Sequence, residues 1–138
     1  MTQIGVGVSA ISDFGDSYWQ NTKEIELYMI EASEKKLNPR KGMKLDKEDQ
    51  LRREVIETLM CHGEVLLPDF ESRYKIDFRH HFSQAWTQLE KFKQEGLVKL
   101  SPQKIELTQI GMLFTRNLAM PFDRHLKTQV SPKFSNTV

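Results

Sequence analysis

The chain has 138 residues, 38% of them hydrophobic and 28% charged, which suits one folded domain with a real core and a short appendage. No apolar run reaches the roughly 18 residues of a membrane-spanning helix. The formal net charge of +1 argues against the concentrated basic face of a nucleic-acid binder, and the single cysteine, Cys61, excludes an internal disulfide or a cysteine-ligated metal or iron–sulfur centre within this chain.

The N-terminus lacks a basic region of the secretory type, and with one cysteine the expected compartment is the cytoplasm. Residues 4–12, Ile-Gly-Val-Gly-Val-Ser-Ala-Ile-Ser, read as one buried strand. Glycines inside a strand mark close approach of the backbone, either to a ligand or to another element. No partner strand is evident nearby, so the segment reads as a piece of a larger sheet. Asp13 to Asp16 form a turn. A helix from Lys23 to Ser33 follows, capped by Asn21 or Thr22, with Ile25, Tyr28, Met29 and Ala32 on one face. Tyr18 and Trp19 either pack the start of this helix or line a ligand pocket. Glu34 to Lys44 carries five basic residues with Asn38-Pro39 and Gly42, and reads as a linker or rim loop.

Asp46 caps the next helix, and Glu48 and Asp49 suit its positive first turn. Leu51, Val55, Ile56, Leu59 and Met60 give it an apolar stripe to about His62, and Gly63 ends it. Cys61 reads as a buried thiol beside a surface histidine, since adjacent helical residues point in different directions. Pro68 opens a short helix, Asp69 to Tyr74. Asp77 caps a long one running to Glu95, with Phe78, Phe82, Ala85, Trp86, Leu89 and Phe92 on its inner face. His80 and His81 beside it read as surface residues. Gly96 stops that helix, and a ribbon follows: Leu97 to Leu100, a turn at Ser101 to Lys104, then Ile105 to Leu107. Thr108 caps a last helix with Ile110, Leu113, Phe114 and Leu118 inward. It breaks at Met120-Pro121, leaving a final turn over residues 122–127.

The expected architecture is mainly α with a small antiparallel β ribbon. Residues 1–44 form a strand, a helix and a linker. Residues 45–127 form a winged helix–turn–helix-like domain, and residues 128–138 a loosely held tail.

Several ordered motifs carry a family resemblance. They are Ile4-Gly-Val-Gly-Val-Ser-Ala-Ile-Ser12, Gly15-Asp16 with Tyr18 and Gln20-Asn21, Leu51-Arg-Arg-Glu-Val-Ile56 with Leu59-Met-Cys61, and Gly111 to Met120 followed by Phe122-Asp123. Together they resemble the C-terminal part of the oxygen-independent coproporphyrinogen III oxidase (coproporphyrinogen III dehydrogenase) family, the radical S-adenosylmethionine enzymes of haem (porphyrin) biosynthesis. The resemblance implies the end of an N-terminal radical barrel, with residues 4–12 as a barrel strand, plus a C-terminal domain that packs on the barrel or covers the substrate. It implies oxidative decarboxylation of coproporphyrinogen III to protoporphyrinogen IX, with S-adenosylmethionine and a 4Fe–4S cluster, in the full-length enzyme. This chain alone is then expected to bind no cofactor and to be inactive, as an excised segment or a short natural protein. Ile11, flanked by Ala10 and Ser12, is implied to lie against S-adenosylmethionine. No catalytic residue and no metal ligand are assigned. Pro121 departs from the family pattern, in which the last helix continues.

Arg52, Arg53 and Arg116 are candidates for propionate anchors, or for ordinary salt bridges. Two other functions compete. A winged helix that binds DNA would present Phe78 to Glu95, but Glu90 and Glu95 offset Arg79, Lys91 and Lys93 there, so no nucleic acid is expected. A pure protein-interaction module is the other. No membrane partner is expected.

Overall fold

The computed structural model describes residues 2–36 and 40–126. They form two compact units, residues 2–50 and 51–126. The expected tail at 128–138, and Lys127 of the expected last turn, lie outside the described residues.

In the first unit, β1 (Ile11–Asp13), β2 (Ser17–Gln20) and β3 (Lys41–Lys44) make an antiparallel sheet in that order. Helix α1 (Ile25–Ser33) connects β2 to β3. The segment read as one strand over 4–12 is therefore a loop with a short strand at its end. Gly7 and Ser9 both have positive φ, which no strand tolerates. Nor does β1 lack partners, since Ile11 pairs with Gln20, and Gln20 with Lys41. Gln3 also bridges to Asp13, at 2.7 and 2.8 Å. The supposed linker hides β3: Lys41-Gly-Met-Lys44 is exposed and shows no apolar alternation, and it is a strand because it pairs with residues over twenty positions earlier. The turn at 14–16 holds, with Gly15 at φ +87° and its N–H on Asp13 Oδ1 at 2.8 Å. Of the expected inner face of α1, Ile25, Met29 and Ala32 are exposed and Tyr28 is half-buried. Neither candidate closes the helix N-terminus; Thr22 Oγ1 accepts from Glu24 N–H at 3.2 Å, one position outside the helix.

Helix α2 (Lys47–His62) starts in a reciprocal cap, in which Asp49 N–H donates to Asp46 Oδ1 at 2.8 Å and Asp46 N–H to Asp49 Oδ2 at 3.2 Å. From Leu51 onward it belongs to the second unit, where it is followed by β4 (Glu64–Leu66), α3 (Leu67–Tyr74), α4 (Phe78–His81), α5 (Ser83–Gln94), β5 (Val98–Leu100), β6 (Lys104–Leu107), α6 (Gln109–Leu113) and α7 (Thr115–Ala119). A single 3₁₀ turn, Met120–Phe122, ends the described fold and absorbs Pro121. The sheet order is β4-β6-β5, all antiparallel. The ribbon is where the sequence puts it; its third strand, β4, is new. Gly63 leaves α2 at φ +70° and its carbonyl accepts from Leu107 N–H at 2.7 Å, which delivers β4 to β6.

The core joins the inner stripe of α2 (Leu51, Val55, Leu59) to Phe70, Phe78, Phe82, Leu89, Ile105, Leu118 and Phe122. Phe82 touches Phe78 and Phe122 at ring-centroid distances of 4.7 and 5.3 Å. The long helix expected from Asp77 is broken at Phe82, whose ψ of 34° turns that ring into the cluster. The last helix is broken too, at Phe114. Only Leu118 of its expected inner residues is buried; Ile110, Leu113 and Phe114 are exposed. A Cβ on Gly111 would lie 2.0 Å from the Leu97 carbonyl oxygen, so α6 presses its backbone, not an apolar stripe, onto the ribbon. Cys61 is exposed rather than buried, because Leu59 and Val55 already occupy the inner side of α2.

Candidate functional site

The first unit gathers its polar side chains around the glycine loop. Gly5 must be glycine, since a Cβ there would meet the Ile11 carbonyl oxygen at 2.5 Å. At Gly5, then, the close approach is to the chain itself, at Ile11, whereas nothing lies within 4 Å of a Cβ built on Gly7. Asn21 Nδ2 donates to the Gly7 carbonyl at 2.9 Å and the Gly5 carbonyl at 3.4 Å. Gly7 N–H donates to Tyr28 Oη at 3.0 Å, Gly5 N–H to Ser12 Oγ at 3.1 Å, and Ser9 N–H to the Thr22 carbonyl at 2.7 Å. Gln20 Nε2 reaches the Ser9 carbonyl at 3.1 Å. Three loop amides, those of Gly5, Gly7 and Ser9, are thereby fixed to Ser12, Tyr28 and Thr22.

This clamp presents Ile11, 53% exposed, on the open side of the sheet. A shallow groove of ≈ 260 Å³ runs over it, lined by Ile11, Tyr18, Trp19, Gln20, Met43 and Lys41. The strand register explains the grouping: Ile11, Gln20 and Lys41 form one row across the sheet, and Tyr18 and Met43 pair in the next row on the same face. The groove is flat, largely apolar, and carries one cation. Trp19 and Tyr18 thus line a groove rather than only supporting α1. Beyond Lys41 a second cavity of ≈ 400 Å³ is bordered by Lys23, Glu24, Leu27 and Arg40, with the Arg40 guanidinium paired to Glu31.

The arginines separate into committed and uncommitted groups. Arg52 donates to the Phe122 carbonyl at 3.1 Å and lies 5.1 Å over the Phe82 ring. Arg53 pairs with Glu57 one turn on, at 2.7 Å. Arg116 is exposed and forms no ion pair with a described residue. Arg79 donates to the Ser101 carbonyl at 3.0 Å and stacks on Trp86 at 4.6 Å, and Lys93 pairs with Glu90, so α4 and α5 offer little to phosphates. In the second unit Glu54 receives Arg73 and the Tyr74 hydroxyl. Burial first, then the bond to Glu54, pushes the Tyr74 phenol up to about 12. Among the described residues no three histidine, cysteine or carboxylate side chains converge as a metal site, and no helix is long and apolar enough to cross a membrane.

The family resemblance points to Ile11, and that residue lines the groove. Sequence reading passes over the clamp and Lys41. Asn21 reads as a helix cap and Lys41 as one of five basic residues in a linker; Lys41-Gly-Met-Lys44 has no apolar alternation that marks a strand.

Comparison with known proteins follows this geometry. The family model described as "HemN C-terminal domain" matches residues 45–114. The oxygen-independent coproporphyrinogen III oxidase of Pseudomonas aeruginosa is 38% identical over 135 residues, 98% of this chain and 29% of the relative. The enzyme of the same name from Helicobacter pylori strain 26695 is 33% identical over 90% of this chain and 27% of its own length. Among solved structures, one described as "Coproporphyrinogen III oxidase (HemN) from Escherichia coli is a Radical SAM enzyme" superposes with a TM-score of 0.83 at 33% identity, over 91% of this chain and 29% of that one. The chain thus spans under a third of the length of these relatives.

Proposed function

Because this chain belongs to the HemN C-terminal domain family, we propose that it is the C-terminal part of an oxygen-independent coproporphyrinogen III oxidase and works against an N-terminal radical barrel. Two observations support the reading. The relatives align over both units, and the residue that the family resemblance assigns to S-adenosylmethionine, Ile11, stands exposed in a groove. The complete enzyme would act on coproporphyrinogen III in the cytoplasm, decarboxylating two propionates to vinyl groups.

The groove fits one face of a nucleoside. Ile11, Tyr18 and Met43 supply a flat apolar surface, and the clamped loop keeps the backbone at Ile11 from shifting. S-adenosylmethionine, if bound, would supply the hydrogen-abstracting chemistry. This chain's part is to hold that cofactor's outer face and exclude water from it. The 4Fe–4S cluster does not fit here: a cluster needs several thiolates, and Cys61 is the chain's single cysteine. The cluster therefore belongs to the barrel.

The domain from residue 45 is read as a winged helix that packs on the barrel or covers the substrate. Support comes from its element order α2, β4, α3, α4–α5, β5, β6 and from the sheet order β4-β6-β5. Its exposed Ile110, Leu113 and Phe114 favour a protein-contacting role, and the same residues support the second reading, an interaction module.

The test is a chimera in which this chain replaces the matching segment of the Pseudomonas aeruginosa enzyme. Conversion of coproporphyrinogen III, followed by porphyrin fluorescence after chromatography, is the expected result. A chimera that is soluble, carries its cluster and forms no vinyl product sinks the assignment.

A further inference from the structure

We infer that Lys41 is a carboxylate anchor for the ligand held in the Ile11 groove, an inference that rests on the functional reading above. Lys41 is the one charged side chain lining that groove. It is exposed and forms no ion pair with a described residue. Its neighbours are engaged elsewhere: Gln20 is bound to the Ser9 carbonyl, and Arg40 is held by Glu31. The register Ile11–Gln20–Lys41 sets Lys41 two strands from Ile11, roughly 10 Å at the usual strand spacing. A lysine stem bridges much of that gap while its ammonium stays at the groove edge.

The pattern selects a ligand chemistry. An apolar floor with one ammonium at its edge complements an apolar body carrying a carboxylate. A pyrrole propionate has that form, and so does the methionyl end of S-adenosylmethionine attached to its nucleoside. Arg52 and Arg53 are poorer anchors, because their guanidinium groups already serve Phe122, Phe82 and Glu57.

The experiment uses the active chimera carrying Lys41→Met, with Lys41→Arg and Lys99→Met beside it. Lys99 is an exposed lysine facing Glu106, outside the groove. Lys41→Met should raise one KM about tenfold, the scale of one charge-assisted contact, with kcat changed much less. Lys41→Arg should restore it to within about twofold, and Lys99→Met should match the parent. A raised KM for coproporphyrinogen III, with weaker fluorescence-detected binding of coproporphyrin III, assigns the anchor to a substrate propionate. A raised KM for S-adenosylmethionine, with weaker binding in equilibrium dialysis, assigns it to the cofactor. If neither KM moves while the chimera turns over, the anchor is wrong and the enzyme assignment stands. If the parent chimera is inactive, the enzyme assignment fails and takes the anchor with it.

Discussion

In residues 51–126 sixteen buried apolar side chains form one cluster, with Phe82, Phe78 and Phe122 at its centre. Among the described residues of 2–50 the buried positions are Leu45 and four polar residues, Ser12, Thr22, Glu31 and Asp49. There Ile4, Val6, Ile11, Trp19, Ile25, Met29 and Met43 remain exposed. The second unit is held by excluding water from hydrocarbon. The first is held by hydrogen bonds to its backbone, which contribute only about 1 kcal/mol each against water. A small sheet stabilised that way is marginal without a surface to cover it. The difference teaches that the first unit has the construction of an incomplete layer, and the second that of a domain with its own core.

The sharpest way to break this contrast is to separate the pieces. A peptide of residues 2–50 should show no cooperative thermal transition by circular dichroism, whereas residues 45–126 should show one. A cooperative transition in the shorter peptide would overturn the comparison. Next in size, Phe82→Ala should cost about 3–5 kcal/mol in urea unfolding, the usual loss for a buried aromatic. Trp19→Ala, in the exposed groove, should cost about 1 kcal/mol or less. Gly111→Ala should cost about 3 kcal/mol, because its Cβ has no room beside the Leu97 carbonyl. Gly5→Ala is also crowded, against Ile11, yet should leave that transition unmoved, since the strain falls in the other unit. The smallest effect concerns Tyr74. Its phenol loses its proton near 10 when unfolded and at about 12 when folded. The stabilisation is therefore complete below pH 10 and is lost as pH rises toward 12, by on the order of 1 kcal/mol after solvent screening. Ultraviolet titration of the phenolate, with and without Glu54→Gln, measures it.

What the sequence made legible was local. Asp46 and Thr108 cap helices as expected, Gly63 and Gly96 terminate them, and β5 and β6 follow from alternation around a Pro-containing turn. What it hid depended on distant pairing. β3 and β4 are short segments whose partners lie twenty to forty residues away, so composition alone assigned them to loops. The glycine loop misled in another way. Its β-branched residues look like a strand, but Gly5, Gly7 and Ser9 fold it back onto Ile11. Ile11 of the candidate groove is suggested by the family resemblance; Lys41 joins it only because β3 pairs with β2. The apolar residues of α6 misled too, because Gly111 decides how that helix packs and its side chains do not.

The sheet order of the second unit carries a consequence for how the chain assembles. β5 and β6 are joined by three residues and can zip within microseconds, the timescale of a hairpin. β4 pairs with β6 across about forty residues, as in the ion pair from Lys104 to Glu64 at 3.3 Å. Closing that long loop spends chain entropy that the hairpin does not, unless α3, α4 and α5 have already shortened the path. β4 should therefore be the last strand to dock and the first to detach, and the amide protons of Val65 and Leu66 should exchange with solvent before those of β5.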